Sequence, residues 1–142
     1  MPTPLTRHRE PDLSFVESTA RSILPNLRAG QLIILESTSY PGTTRDIIKP
    51  ILQQSKLESG KDFFIAFSPG REDPGNIEFS TSEIPKVVGG DGEDALKLAD
   101  ALYSSFVRQT VLVSSLETAE AVKITENIFR SVNIALDRKS VV

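Results

Sequence analysis

Apolar residues in the first part of the chain recur at helical spacing and predict a helix over residues 12–28. Asp12 precedes this pattern and is expected to cap the helix at its N-terminus. Pro25 falls inside the pattern, so we expect it to kink or shorten the helix. The same spacing after residue 43 predicts a second helix, with Thr43 or Thr44 as its cap and a bend at Pro50.

Two more helices are predicted downstream, at residues 93–105 and 116–136. The first of them is expected to turn five side chains inward, namely Ala95, Leu96, Leu98, Ala99 and Leu102. Four short apolar runs lie between the helices and are typical of strands buried on both faces. They cover residues 31–36, 63–67, 86–88 and 110–113.

The alternation of strands and helices predicts the fold class. It is an α/β fold, a partial Rossmann-like (doubly wound) parallel sheet with helical crossovers, ending in a long helix. A complete doubly wound domain would begin with a strand and a glycine-rich turn. Because neither opens this chain, the predicted sheet looks like the second half of a larger one.

The composition of the chain argues against several classes of function. The chain has 16 basic and 19 acidic residues and a net charge of −3, which offers no electrostatic footprint for nucleic acid or an anionic membrane. It contains no cysteine, which excludes disulfides, thiolate metal sites and a cysteine nucleophile. We predict no metal site, and the lone His8 has no functional interpretation. Since no signal peptide or membrane span is evident, the expected location is cytoplasmic.

Three polar, glycine-rich loops follow predicted strands, where open α/β sheets bind ligands. The loop at residues 36–43 has hydroxyls and backbone N–H groups that suit a phosphate, ribose or carboxamide, and its alternative is a turn with a threonine cap. The loop at residues 68–76 places Arg71 where it could pair with a carboxylate or diphosphate, and its alternative is a solvated, salt-bridged loop. The loop at residues 89–92 lacks the lysine and spacing of a phosphate-binding loop and is interpreted as a plain turn.

The last predicted helix carries Lys123, Asn127 and Arg130 at positions i, i+4 and i+7, so these residues share one face. Such a stripe can donate several hydrogen bonds to an anionic ligand. The alternative is an exposed face stabilised by Glu–Lys pairs.

A series of short segments covers nearly the whole chain in a fixed order. The segments are Pro2-Thr3-Pro4-Leu5, Glu36-Ser37-Thr38, Pro41-Gly42-Thr43, Phe67-Ser68-Pro69, Arg71-Glu72-Asp73-Pro74-Gly75-Asn76, Pro85-Lys86-Val87-Val88-Gly89-Gly90, Glu117-Thr118-Ala119-Glu120-Ala121-Val122-Lys123, Glu126-Asn127-Ile128-Phe129-Arg130 and Val132-Asn133-Ile134-Ala135. Each is a weak signal alone, but the ordered set resembles the UDP-glucose and GDP-mannose dehydrogenases. The branch it resembles most comprises the UDP-N-acetylglucosamine and UDP-N-acetylmannosamine 6-dehydrogenases.

The resemblance implies a two-step oxidation of the C6 alcohol of a nucleotide sugar, of the UDP-N-acetylhexosamine type, to a carboxylate. Two NAD molecules are reduced, and a family cysteine far downstream forms a thioester intermediate. By the same resemblance, Pro2, Thr3 and Thr38 are expected to lie along the NAD cofactor.

The resemblance also assigns residues to the substrate. Lys123 and Asn127 are expected at the reacting end of the sugar as catalytic residues, where a lysine can stabilise a developing alkoxide or oxyanion. Arg71 and Arg130 are expected to bind the nucleotide sugar together with them.

Three departures from the family pattern matter. No G-x-G-x-x-G motif is present to hold a pyrophosphate, and there is no cysteine. Where the family usually reads Ser-Pro-Glu-Arg, this chain reads Ser68-Pro69-Gly70-Arg71, so a carboxylate expected to assist proton transfer or hydrolysis is replaced by Gly70.

These features together predict a domain organisation and a function. Residues 1–114 are interpreted as the C-terminal half of a Rossmann-like NAD-binding domain, and residues 115–142 as the start of the central linking helix. The leading hypothesis is a fragment of a nucleotide-sugar dehydrogenase that is inactive alone. The alternative is a non-catalytic binding module for a nucleotide sugar or NAD that pairs with another chain. An exposed sheet edge predicts self-association in either case.

Overall fold

The computed structural model describes residues 12–37, 39–70 and 85–140. For residues 127, 130, 131 and 137–140 it describes the backbone alone. Within these ranges, no helix combines the length and the apolar composition that crossing a membrane requires.

Helices and strands alternate as the apolar pattern predicts. They are α1 (Ser14–Ile23), a 3₁₀ turn (Leu24–Asn26), β1 (Leu32–Leu35), a π-helical segment (Thr44–Ile48) continuing into α2 (Lys49–Gln53), β2 (Phe64–Phe67), β3 (Lys86–Gly90), α3 (Glu93–Ser104), β4 (Thr110–Leu112) and α4 (Leu116–Ser140).

The two prolines shape the first two helices as expected. Pro25 lies in the 3₁₀ turn that ends α1, and Asp12 accepts a hydrogen bond from the N–H of Ser14 at 2.9 Å. Pro50 has no N–H to donate to the carbonyl of Asp46. The helix before it is wider than an α-helix, of the π type, and the N–H of Lys49 donates to the carbonyl of Thr44 five residues earlier.

The four strands form one sheet in the order β1-β2-β3-β4. β1 and β2 are parallel, with Leu32 opposite Phe64, and β3 and β4 are parallel, with Lys86 opposite Thr110. The α/β fold with a mostly parallel sheet is therefore confirmed. One pairing differs from a purely parallel sheet, because β2 and β3 are antiparallel. The end of β2 and the start of β3 thus lie at the same edge, and their connection need not cross the sheet.

Both faces of the sheet are covered by helices, which explains why its strands are apolar without interruption. One face packs with α1, α2 and the start of α4 and includes Ile33, Leu35, Ile65, Phe67 and Val87. The other face packs with α3 and includes Leu32, Ile34, Ala66 and Val88.

The inward face of α3 differs from the prediction. Leu98 and Leu102 are 42% and 47% exposed, whereas Ala95, Ala99 and Tyr103 are buried. The buried residues lie four positions apart, and the two small alanines let the helix approach the sheet closely. The expectation that both leucines point inward was wrong because it followed hydrophobicity and not this small-residue stripe.

The glycines at the end of β3 serve close packing. A Cβ atom on Gly89 would lie 2.6 Å from the carbonyl oxygen of Ser115, and one on Gly90 would lie 2.5 Å from the backbone nitrogen of Leu96. Gly92 has a positive φ of 97° and makes the turn into α3. β3 runs through Gly89 and Gly90, so the turn predicted over residues 89–92 is confined to Asp91 and Gly92. The close contacts at Gly89 and Gly90 bring α4 and α3 against β3.

Candidate functional site

The carboxyl ends of β1 and β2 meet at one edge of the sheet, and the start of β3 joins them there. Backbone hydrogen bonds extend the pairing beyond the strands, from the N–H of Ser68 to Leu35 at 3.0 Å and from the N–H of Gly70 to Glu36 at 3.3 Å. The buried hydroxyl of Ser68 donates to the carbonyl of Val87 at 2.6 Å. The first two predicted ligand loops therefore begin side by side.

Lys123 reaches this edge from α4. Its ammonium group donates a hydrogen bond to the carbonyl oxygen of Gly70 at 2.8 Å, across 53 residues of sequence. A cation is thus held at the point where the loop after β2 leaves the sheet. Of the predicted site residues, Lys123 is the one whose side chain the structure describes.

The other predicted site residues cannot be located in the same way. Pro2, Thr3, Thr38 and Arg71 lie outside the described residues. Asn127 and Arg130 belong to α4, and its helical backbone places them on the same face as Lys123, but their side chains are not described. Their assignment to cofactor or substrate stays a prediction.

Gly70 occupies an ordinary backbone conformation beside Lys123. A Cβ atom at this position would lie 3.4 Å from the carbonyl oxygen of Glu36, which is normal van der Waals contact, and its φ is outside the left-handed region. The described residues therefore leave room for a Cβ atom here, in contrast to Gly89 and Gly90.

A cluster of three side chains lies at the same edge and was missed in the sequence. Glu36 accepts a hydrogen bond from the hydroxyl of Tyr103 at 2.5 Å and lies 3.4 Å from the ammonium of Lys86. Lys86 also donates to the carbonyl of Pro69 at 3.3 Å and sits 5.2 Å from the centre of the Tyr103 ring. Burial, and then the hydrogen bond to Glu36, raise the pKa of Tyr103 well above its ordinary value, so the phenol stays protonated.

The loop after β1 turns sharply before the second helix. The carbonyl of Tyr40 accepts the N–H of Thr43 at 3.0 Å, and Gly42 has a φ of 98°. Proline followed by a glycine of positive φ is the arrangement of a type II turn. The Thr43 hydroxyl accepts the N–H of Tyr40 at 3.1 Å and makes no cap for the helix. The expectation of a threonine cap was therefore wrong.

The cap comes instead from α4. The carboxylate of Glu120 accepts the N–H of Thr43 at 3.1 Å and the hydroxyl of Ser39 at 3.5 Å, both through Oε2. Glu120 is completely buried. Its Oε1 and the buried hydroxyl of Thr44 make no hydrogen bond within the described residues. The N–H of Thr43 is thus shared between the carbonyl of Tyr40 and a carboxylate that is distant in sequence.

Burial raises the pKa of Glu120 from its ordinary value of 4.5 to about 7. Groups of Thr43 and Thr44 oppose the rise, and the nearby negative charge of Glu117 adds to it. Thr44 lies close enough to lower the pKa, although its hydroxyl does not reach ordinary hydrogen-bond geometry with any described residue. At neutral pH, protonated and ionised forms of Glu120 are therefore both populated.

The sequence offered only a weak signal for these residues. Glu120 stands three positions before Lys123, at the spacing of an exposed Glu–Lys pair, yet it is buried and Lys123 bonds elsewhere. Glu117, one turn earlier, is partly exposed and pairs with Arg45 at 2.9 Å. The apolar or small neighbours Leu116 and Ala119, both fully buried, mark the face that also carries Glu120.

Comparison with known proteins decides the family. Residues 1–107 match the UDP-glucose/GDP-mannose dehydrogenase family, NAD binding domain. The chain belongs to this family. NAD as the family's cofactor and the resemblance inferred from the ordered segments are both confirmed.

Individual dehydrogenases of this family are similar over almost the whole chain. UDP-N-acetyl-D-glucosamine 6-dehydrogenase of Pseudomonas aeruginosa is 40% identical over 138 residues, which are 96% of this chain and 33% of that protein. UDP-N-acetyl-D-mannosamine dehydrogenase of Pyrococcus horikoshii is 40% identical over 134 residues, which are 94% of this chain and 32% of that protein.

Solved structures of the family share the fold. The structure of UDP-D-ManNAc dehydrogenase from Pyrococcus horikoshii superposes with a TM-score of 0.87 and 41% identity, covering 94% of this chain and 32% of that one. A UDP-N-acetyl-mannosamine dehydrogenase from Staphylococcus aureus superposes with a TM-score of 0.85 and 34% identity, covering 96% and 33%. The chain spans about a third of the length of the dehydrogenases it matches.

The fit of the chain to NAD rests on the position of the loop after β1, which leaves the sheet at the edge where open α/β sheets bind ligands. The described hydroxyls of Ser39 and Thr43 are buried and bonded to Glu120 and Tyr40, so they shape the loop and do not face a ligand. The glycine-rich turn that normally cradles the pyrophosphate is not part of this sequence.

Proposed function

We propose that this chain is part of an NAD-dependent nucleotide-sugar 6-dehydrogenase acting on a UDP-N-acetylhexosamine. In the full reaction, the sugar C6 alcohol becomes a carboxylate, two NAD⁺ accept one hydride each, and one water supplies the second oxygen. The chain has no cysteine, so a thioester cannot form on its own residues. We expect the 142-residue chain alone to bind ligands without completing this reaction.

The observation that carries the proposal is the position of Lys123. Its ammonium lies at the carboxyl edge of two parallel strands, the edge at which open α/β sheets bind ligands. A cation held there can stabilise negative charge that develops on a substrate oxygen. Family membership makes a nucleotide sugar the favoured ligand, since two similar proteins are named for UDP-N-acetylhexosamines.

By family resemblance, the proposal also gives roles to the remaining site residues. Asn127 joins Lys123 as a catalytic residue, Arg71 and Arg130 bind the nucleotide sugar, and Pro2, Thr3 and Thr38 lie along NAD. The shared helical face of Lys123, Asn127 and Arg130 supports a common ligand for the last helix.

A domain organisation is part of the same proposal. Residues 1–114 form the second half of the NAD-binding domain, and residues 115–142 begin the linking helix. Exposed apolar side chains along the second half of α4 support the linking role. They are Ile128, Phe129, Val132, Ile134 and Leu136, each 47% to 70% exposed. A cytoplasmic location stays a prediction.

A non-catalytic binding module is the second candidate function. Gly70 favours it, because the backbone there accepts a side chain and yet the family carboxylate is missing. In this case, the chain retains ligand binding and pairs with another chain. Self-association through a sheet edge fits both candidates, since among the described residues β1 and β4 each pair on one side only.

A thermal-shift titration tests the proposed ligand class. NAD⁺, UDP-N-acetylglucosamine, UDP-glucose and GDP-mannose are added separately to the 142-residue chain. A ligand that binds only the folded state stabilises it by about 2.7 kcal/mol at a hundredfold excess over its dissociation constant. We expect UDP-N-acetylglucosamine to give the largest shift among the three nucleotide sugars, with no product formed in the presence of NAD⁺. Complete oxidation by the chain alone, or a cooperative transition that no ligand shifts, would overturn the proposal.

A further inference from the structure

A buried polar junction joins α4 to the loop that follows β1. On one side, Glu120 is fully buried one helical turn before Lys123. On the other side, the N–H of Thr43 and the hydroxyl of Ser39 point at its Oε2, at 3.1 Å and 3.5 Å. The contact spans 77 residues of sequence and ties the loop itself to α4, beside the Arg45–Glu117 ion pair that links α4 to the segment after the loop.

The helix that follows this loop has no side-chain cap of its own. The first N–H groups of a helix lack partners within the helix, and a side-chain cap normally satisfies one of them. Here the Thr43 hydroxyl bonds back to Tyr40, and no side-chain cap is present at this helix. Glu120 adds a second acceptor for the N–H of Thr43 beside the carbonyl of Tyr40, and its partial negative charge suits the positive end of the helix dipole.

Charged groups on the surrounding elements are bound to other partners. Arg45, in the π-helical segment, pairs with Glu117 at 2.9 Å. Lys86 of β3 pairs with Glu36 at 3.4 Å, and Lys123 donates to Gly70. Asp46 lies against Gly42. None of these ion pairs involves Glu120, so its stable partners among the described residues are the loop groups.

We propose that Glu120 is a positioning residue that fixes the loop after β1 to α4 and thereby sets where that loop stands relative to Lys123. The proposal rests on the proposed function, because it assigns the loop at residues 36–43 to the cofactor and Lys123 to the substrate. It goes beyond that function because it names the residue that fixes the loop after β1 and α4 relative to each other. Glu120 does not itself touch the ligand.

Amide hydrogen exchange and unfolding of the 142-residue chain test this role directly. The variants are Glu120→Ala, which removes the acceptor, and Glu120→Gln, which keeps an amide oxygen in the same place. Glu117→Ala and Glu117→Gln serve as matched controls on the same helix. We expect the N–H of Thr43 to exchange roughly tenfold faster in Glu120→Ala and within about twofold of the parent in the other three variants. The bond from Thr43 to Tyr40 limits the size of the effect.

The pH profile separates positioning from simple packing. The pKa of Glu120 is raised in the folded chain, so folding favours its protonated form, and stability falls as the pH rises from about 5 towards 8. Glu120→Gln cannot ionise and should remove this decline, whereas Glu117→Gln should keep it over a narrower pH range, because the charge of Glu117 adds to the rise of the Glu120 pKa. A variant that merely lost packing would not change the slope.

Binding of NAD⁺ links the junction to the site. If the parent chain binds NAD⁺, Glu120→Ala should weaken binding roughly tenfold, and Glu120→Gln should restore it to within about twofold. If the parent chain binds no NAD⁺, the cofactor part of the proposed function fails, while exchange at Thr43 still decides the role of Glu120. Unchanged Thr43 exchange in Glu120→Ala, or an unaltered pH slope in Glu120→Gln, would overturn the proposal.

Discussion

At the scale of single residues, Gly70 and Lys123 illustrate how the site differs from its family pattern. Lys123 holds the carbonyl of Gly70 at 2.8 Å, and the backbone at Gly70 leaves room for a side chain. The family carboxylate could therefore be restored without rebuilding the loop. Gly90, by contrast, has the backbone of Leu96 within 2.5 Å of where a Cβ would lie.

Gly70→Glu tests this difference. We expect its free energy of unfolding to stay within about 0.5 kcal/mol of the parent, because the substitution creates neither strain nor a buried charge without a partner. The nearby ammonium of Lys123 should lower the pKa of the introduced carboxylate below its ordinary value. Urea unfolding and NMR titration measure the two quantities. Gly90→Ala is the matched control and should lose about 1–3 kcal/mol through overpacking. Equal losses in Gly70→Glu and Gly90→Ala would show that position 70 is also packed against substitution.

At the scale of helices and strands, most of the fold could be predicted, because apolar runs and helical spacing report directly on burial. The cap predicted at Asp12 was wrong, because α1 begins at Ser14 after Leu13 and has no side-chain cap. The prediction was accurate for the end of α1 near Pro25 and for the strands, which have both faces covered. It failed where long-range contacts decide. β3 runs antiparallel to β2, and this direction depends on a pairing between strands that no local sequence pattern indicates.

Side chains at the site were harder to predict for the same reason. Lys123 was identified by family resemblance, and its ammonium lies beside Gly70 at the edge where β2 ends, while its role stays a prediction. Glu120 was indistinguishable from a surface glutamate because its partner lies 77 residues away in the loop after β1. The cluster of Glu36, Lys86 and Tyr103 joins three separate elements, so their proximity appears only after the sheet and α3 have assembled.

At the scale of the whole molecule, the chain has a covered sheet with two open edges. β1 pairs with β2 alone, and β4 pairs with β3 alone, among the described residues. Near β4, Phe106, Val111 and Leu112 are 41% to 57% exposed. Unpaired backbone groups beside apolar side chains favour pairing with a further strand.

Light scattering coupled to size-exclusion chromatography tests the predicted self-association. We expect the apparent mass to rise with protein concentration from that of the 15.6 kDa chain towards a dimer. Val111→Lys places a charge on the β4 edge and should abolish the rise if that edge is the one used, whereas it should have no effect if β1 is used. A monomer at every concentration would contradict the prediction.

The central claim is that this chain keeps a nucleotide-sugar half-site organised around Lys123. Isothermal titration calorimetry with UDP-N-acetylglucosamine tests it most directly, using the parent chain, Lys123→Met and the control Lys97→Met on the exposed side of α3. The account predicts that the parent and Lys97→Met both bind UDP-N-acetylglucosamine. Lys123→Met should bind it at least about tenfold more weakly, because the ligand loses a hydrogen bond to the charged ammonium group. Equal affinity of Lys123→Met and the parent, or no binding by the parent, would contradict it.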